Sequence, residues 1–132
     1  MLQEVKITTR SRTAMQCIDD EVQSVITESG VGEGLCVLWV PHTTGAVTIN
    51  ENADPDVVRD ILAETGKIVP LSDGYHHAEG NSAAHIKSSL FGPSLTLIVS
   101  GGRLVLGTWQ SIFFCEFDGP RTRRIFVKVT GG

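Results

Sequence analysis

The sequence lacks any apolar run near the ~18 residues that a membrane-spanning helix needs. Its start, Met1-Leu2-Gln3-Glu4, lacks the basic-then-apolar pattern of a secretory signal. Aromatic residues are scarce at 6%, and no Gly-x-Ser-x-Gly elbow, Walker loop or Gly-x-Gly-x-x-Gly string occurs. Serine-hydrolase, P-loop and dinucleotide-binding readings therefore have no support. There are only three cysteines, Cys17, Cys36 and Cys115, far apart and without a Cys-x-x-Cys pair. That excludes a disulfide scaffold or a cysteine zinc knuckle and predicts reduced, buried thiols in a cytoplasmic protein. An excess of basic charge is also missing: 11 Lys/Arg face 15 Asp/Glu, for a net charge of −4. A general nucleic-acid binder carries the opposite balance.

What is present fits one globular domain spanning residues 1–132, with 41% apolar and 20% charged residues. The charge is unevenly spread. Residues 1–85 hold 5 Lys/Arg against 13 Asp/Glu, a balance of −8, whereas residues 86–132 hold 6 against 2, a balance of +4. One half could hold a cation and the other a phosphate, or the charges simply solvate two surfaces.

Apolar spacing gives the elements. Leu2 to Thr9 reads as a strand, with Thr13 to Cys17 pairing back on it. A helix follows, with Asp19 as its cap and Ile18, Val22, Val25 and Ile26 inside. Leu35 to Val40 is a nearly continuous apolar run, as in a strand covered on both faces. Ala46 to Asn50 is the next strand. Asp54 caps a second helix with Pro55 first, Val57, Val58, Ile61 and Leu62 inside, and an end near Gly66. Residues 71–81 form a polar loop. A third helix from Ser82 to Leu90 packs through Ala83, Ile86 and Leu90. The remainder is strand: Leu95 to Val99, Arg103 to Phe117 with a break near Gly107, and Ile125 to Val129. Three helices precede a β-rich final third, so the fold class is α+β with a mixed, largely antiparallel sheet.

All four histidines lie between positions 42 and 85. His42 follows a strand, His77 sits in the polar loop and His85 is in the first turn of a helix. Three imidazoles from separate elements could form an open tetrahedral zinc site, or each could be structural. His76 reads as an exposed loop residue. Asn50, Glu51, Asp54 and Asp56 offer oxygen donors that suit magnesium or, equally, a helix cap. Arg121 and Arg123 would share one strand side with Arg124 on the other, suited to phosphate or to a basic outer face. Gly107-Thr108-Trp109-Gln110 places a Trp and a Gln that, if buried, need partners.

Several strings in this order, His42-Thr43-Thr44, Asn50-Glu51-Asn52-Ala53-Asp54-Pro55-Asp56, His77-Ala78-Glu79-Gly80-Asn81 and Ala84-His85-Ile86-Lys87, resemble the YjbQ family, now named the secondary thiamine-phosphate synthase family. Gly107-Thr108-Trp109-Gln110 and Glu116-Phe117-Asp118-Gly119-Pro120-Arg121 extend the resemblance over nearly the whole chain. Gly45, where alanine is common, and His76 are the departures. The resemblance implies an α+β homotrimer with a site near subunit contacts. It also implies a metal-dependent reaction joining hydroxymethylpyrimidine diphosphate to a thiazole phosphate, with release of pyrophosphate. On that pattern His42, His77 and His85 are the ligands of zinc or magnesium. His42, Thr43, Asn50, Glu51, His85, Trp109, Gln110 and Glu116 are the catalytic candidates, with Asn81, Lys87 and Arg121 for the phosphorylated substrate. Neither nucleic acid nor membrane is implied as a partner. The alternative expectation is a non-catalytic trimer that binds a metal or a phosphorylated metabolite through its histidines.

Overall fold

The structure, a computed structural model, describes residues 2–132. Eleven elements follow in chain order: β1 (Leu2–Thr8), β2 (Ala14–Cys17), α1 (Asp19–Ser29), β3 (Gly34–Trp39), β4 (Gly45–Glu51), α2 (Pro55–Ile68), α3 (Ser82–Phe91), β5 (Ser94–Ser100), β6 (Arg103–Leu104), β7 (Gln110–Glu116) and β8 (Thr122–Gly131). They build a five-stranded sheet ordered β1-β8-β3-β5-β6 and a three-stranded sheet ordered β2-β7-β4. Every pairing is antiparallel, so the expected α+β class holds, with two sheets in place of one. No helix among the described residues is long and apolar enough to cross a membrane.

The chain packs in layers. Cys36, Leu38, Leu97, Val99, Ile125 and Val127 line the inner face of the large sheet. They meet Val22, Val25 and Ile26 of α1 and Val47, Ile112 and Phe114 of the small sheet. The opposite face of the small sheet, with Ala46, Phe113, Cys115 and Phe117, packs on Ala84 of α3, with Val58 of α2 and Phe91 at its margin. β7 is buried on both faces from Ser111 to Glu116, and its neighbour β4 over Gly45 to Val47.

Several expectations are corrected. The segment after Leu2–Thr8 pairs with β7, Cys17 opposite Phe113, and not with β1. Asp19 does not cap α1; its Oδ1 accepts from the Ile112 amide at 2.7 Å and ties the helix start to β7. The apolar run of β3 is not doubly covered, because its odd residues Leu35, Val37 and Trp39 point outward and stay exposed in the chain. Gly66 lies inside α2, which continues to Ile68. Its Asp54 cap is as expected, accepting from the Asp56 amide at 2.9 Å. On α3 the buried face is Ala83, Ala84, Lys87 and Ser88, whereas Ile86 and Leu90 face outward. Small side chains let that helix approach the sheet closely, and the bulky ones are turned away. Cys36 and Cys115 are buried as expected, but Cys17 is exposed.

Candidate functional site

The candidate residues gather at the two ends of the small sheet. β4 and β7 pair from Gly45 opposite Glu116 to Glu51 opposite Gln110. Six strand steps separate those ends, about 20 Å. The histidines, Thr43, Asn81, Arg121 and Glu116 lie at the first end. Asn50, Glu51, Trp109 and Gln110 lie at the other.

At the first end, α3 presents His85 beside His77 of the preceding loop, ring centroids 5.4 Å apart and edge to face. The two border an open cleft of about 320 Å³ with Thr43, Glu79, Asn81 and Arg121. Asp118 stands in its wall, where its Oδ2 accepts from Asn81 Nδ2 and Arg121 Nη2, both at 3.0 Å. A neighbouring cleft of about 330 Å³ is shared by His42, Thr43 and His85, so His85 and Thr43 stand between the two. His42 Nε2 accepts from the Arg124 amide at 3.1 Å. Burial, and then the Arg123 charge, hold His42 below the usual imidazole range. His42 is thus a neutral acceptor with its proton on Nδ1. No group of three His, Cys, Asp or Glu side chains among the described residues has metal-holding geometry. His77 and His85 pair; His42 is engaged elsewhere. A catalytic zinc site has three protein ligands, and a single chain does not assemble that set.

Beneath this surface lies a buried ion pair. Glu116 is fully buried and Arg123 is 2% exposed. Arg123 Nε donates to Glu116 Oε1 at 2.8 Å, Nη2 donates to Oε2, and Nη2 also reaches Thr44 Oγ1 at 2.8 Å. Thr9 Oγ1 donates to Glu116 Oε1 at 2.7 Å, and the Asp118 amide donates to Glu116 Oε2 at 3.0 Å. Burial alone would raise the Glu116 carboxyl, but Arg123, the Asp118 amide and Thr9 hold it below its ordinary value. Glu116 reaches neither cleft; it positions Thr44 and the Asp118 turn through this network. The expected sharing of one strand side by Arg121 and Arg123 is also corrected. Arg121 precedes β8 and lies outside on Asp118, while Arg123 points into the interior. Gly119 makes this turn feasible, since a Cβ there would press on Glu116 Cγ at 2.8 Å and Thr9 Oγ1 at 3.0 Å.

Lys87 does not reach the histidine cleft. It borders a separate, more enclosed cavity between α3 and the start of β2, and burial holds its ammonium below the usual lysine range. Asn81 and Asp118 border both spaces.

At the far end, Trp109 is 63% exposed and Gln110 is exposed too, so neither polar group needs a buried partner. The Trp109 carbonyl accepts from the Asn52 amide at 2.9 Å, and Gln110 Oε1 accepts from the Gly107 amide at 2.8 Å. Asn50 Oδ1 accepts from the Glu51 amide at 2.7 Å, and Asp56 pairs with Arg59 at 2.9 Å. With Asp54 on its cap, three of the four oxygen donors, Asn50, Asp54 and Asp56, are engaged locally, which matches the helix-cap reading. Sequence reading did not single out Thr44, Glu79 or Asp118 as site residues. Their signal lay inside the quoted strings, but only the fold turns them toward the histidines.

Comparison with known proteins gives a consistent result. The family described as "UPF0047 protein YjbQ-like" matches residues 3–132. UPF0047 protein YugU of Bacillus subtilis is 48% identical over 132 residues, covering 99% of this chain and 100% of that one. A UPF0047 protein of Methanocaldococcus jannaschii is 50% identical over 131 residues, covering 99% and 95%. The crystal structure of an uncharacterized YjbQ/UPF0047-family protein of Clostridium acetobutylicum superposes with a TM-score of 0.95 at 50% identity, covering 97% of this chain and 99% of that one. A Sulfolobus solfataricus structure, described as a protein of unknown function, gives 0.95 at 31% identity, covering 100% and 97%. With its whole length and its fold matched in this way, the chain belongs to the YjbQ/UPF0047 family.

Proposed function

We propose that the chain is a small cytoplasmic transferase that forms thiamine phosphate from hydroxymethylpyrimidine diphosphate and a thiazole phosphate, with thiamine-phosphate synthesis a secondary activity. The observation that carries this reading is the His77–His85 pair in one cleft with Arg121. A guanidinium fork suits a phosphate group, and paired imidazoles can donate to a leaving diphosphate. Thr43 adds a hydroxyl at the same edge. The reaction also needs a wall that shelters a developing pyrimidine cation from water. Trp109 has the right character but lies about 20 Å away along the sheet.

Assembly would resolve that separation. The reading includes a homotrimer in which the Trp109–Gln110 corner of one copy meets the histidine cleft of another. Leu35, Val37, Trp39 and Ile98 leave an exposed apolar row on the outer face of the large sheet, a surface that association would cover. A divalent metal belongs to the proposal on the same terms. His77 and His85 supply two ligands and Glu79 borders the same cleft, so a neighbouring copy or a rearranged His42 would complete the shell. A non-catalytic trimer that binds a phosphorylated metabolite is the second reading, favoured by the engagement of Glu116 and Asp118 in internal bonds, which leaves Glu79 as the cleft's free carboxylate.

The test is thiamine-phosphate formation by the purified protein, with and without chelator and with added zinc or magnesium. His85→Ala and Trp109→Ala chains should each be inactive, and mixing them after reversible dissociation should restore part of the activity. Activity of an isolated monomer, or no recovery on mixing two inactive variants, would remove the shared site.

A further inference from the structure

Aromatic side chains are scarce in this chain, at 6%, with a single tyrosine among them. Yet that tyrosine, Tyr75, and three of the four histidines, His76, His77 and His85, border one open groove of about 450 Å³. The groove adjoins the Arg121 cleft, because His77 and His85 border both spaces. The two spaces differ in chemistry. The cleft carries the Arg121 guanidinium, the Glu79 carboxylate and the Asn81 amide, whereas the walls of the groove are almost wholly apolar. Three of its four rings are held in place. Tyr75 is half-buried and its hydroxyl donates to the Pro70 carbonyl at 2.5 Å, so the polar end of that ring is spent on the chain itself. His77 and His85 brace each other edge to face, with centroids 5.4 Å apart. His76 is exposed and is one of the two positions at which the chain departs from the family strings.

We propose that this groove receives a flat aromatic or heteroaromatic ring whose phosphate lies in the Arg121 cleft, and that Tyr75 and His76 select such a ring over a saturated group of the same size. One ligand then spans the two spaces, with the His77–His85 pair standing at the junction between its ring and its phosphate. Burial of apolar area alone does not make that selection. A saturated six-membered ring removes at least as much apolar surface from water as a flat one. Only the faces and edges of the protein's own rings favour the flat one, through offset-stacked or edge-to-face contact. The proposal rests on the reading of the Arg121 cleft as the phosphate side, and not on which product the chain forms.

The test compares phenyl, cyclohexyl and methyl phosphate by calorimetry and by NMR. Tyr75 is the chain's one tyrosine, so its ring signals stand alone in protein labelled at tyrosine. Phenyl phosphate should bind about three- to tenfold more tightly than cyclohexyl phosphate and should move the Tyr75 signals, which methyl phosphate should leave nearly in place. His76→Ala and Tyr75→Leu should each lower the ratio of phenyl to cyclohexyl affinity, whereas His76→Phe, which keeps a ring, should preserve it. Arg121→Gln should weaken all three esters and leave the ratio as it was. A ratio of one or less in the unaltered chain would overturn the proposal, as would Tyr75 signals unmoved at saturating phenyl phosphate. So would a ratio unchanged in both His76→Ala and Tyr75→Leu. If Tyr75→Leu fails to fold, the Tyr75 signals of the unaltered chain and the His76 variants still decide. Loss of the ring preference with Arg121 still required removes the groove alone. Three affinities unchanged in Arg121→Gln, or no binding of any ester at millimolar concentration, would remove the phosphate side and the proposal with it.

Discussion

Arg123 grips Glu116 in the interior and with the same Nη2 reaches the hydroxyl of Thr44 at 2.8 Å, so one buried ion pair ties β7 and β8 to the loop that carries His42 and Thr43. Breaking such a pair leaves a charge with neither water nor a partner, at a cost of about 3–5 kcal/mol. Glu116→Gln and Arg123→Met should each lose about that much in urea unfolding. The double replacement Glu116→Met/Arg123→Met should lose clearly less than their sum, because no lone charge remains. Strict additivity would show that the two act independently.

The same pair sets an acid limit. Glu116 has a folded pKa below its ordinary value, so the unfolded chain binds the proton more readily. The contribution to stability is fully present above the unfolded carboxyl pKa, about 4.3, and is lost as pH falls through the lower folded value. His42 is also lowered, by burial first and then by Arg123. It adds a milder loss that begins as pH falls through its unfolded value of about 6.5. Urea midpoints should therefore decline in two stages on acidification. His42→Gln should remove the upper stage and Glu116→Gln should flatten the lower one.

How much of this was legible in the sequence depends on what sets each feature. Period and caps are local, so Asp54-Pro55 marked the start of α2, and the alternation of β8 was visible in Ile125 to Val129. Which face is covered is a tertiary matter. The run Leu35 to Val40 looks doubly buried because it is apolar throughout, yet the chain covers only the Cys36–Leu38 face. On α3 the pattern read through Ala83, Ile86 and Leu90; Ala83 is buried, but close packing of Ala84 on Phe113 and Cys115 leaves Ile86 and Leu90 outside. The histidine strings supplied the candidate residues, but not the split of about 20 Å between the two groups, which follows from the register of β4 with β7.

Gly45 gives a test of that register. A Cβ at this position would stand 2.8 Å from Cζ of Phe114, a fully buried ring. Gly45→Ala should therefore cost about 1–3 kcal/mol as an overpacked core site, although alanine is a better strand residue than glycine. Phe114→Leu, which shortens the ring, should reduce the cost in the double variant. A neutral Gly45→Ala would mean that the ring moves freely.

The outer sheet face makes a separate prediction. Val37 stands opposite Lys128 and Thr96, and Trp39 opposite Phe126 and Ser94, all on one side. Val37→Lys and Trp39→Glu touch no residue of the inner core, so unfolding of an isolated chain should shift by less than about 1 kcal/mol. If this face joins copies of the chain in the proposed trimer, light scattering should show smaller species for the two variants than for the unaltered protein. A trimer that survives both replacements would place the interface elsewhere.

Adjacent residues on α3 separate chemistry from folding. His85 borders both clefts and stacks edge to face on His77, whereas Ile86 is 39% exposed. The sequence pattern placed Ile86 in the core, where truncation to alanine costs about 2–5 kcal/mol. Its observed exposure reduces the expectation for Ile86→Ala to less than about 1.5 kcal/mol, since little apolar area leaves water at that position. The full core cost should appear instead at Phe113, which is 2% exposed and packs under α3; Phe113→Ala should lose about 3–5 kcal/mol. His85→Ala opens no core cavity, so it should melt within a few degrees of the unaltered protein. Under the proposed function it should nevertheless abolish thiamine-phosphate formation, because an imidazole that meets the leaving diphosphate acts in the transition state. Ile86→Ala should retain turnover. Thermal melts and product assays of all three variants decide the matter together. Full activity in His85→Ala, or a melt as low as that of Phe113→Ala, would make His85 a packing residue and leave the cleft without its central group.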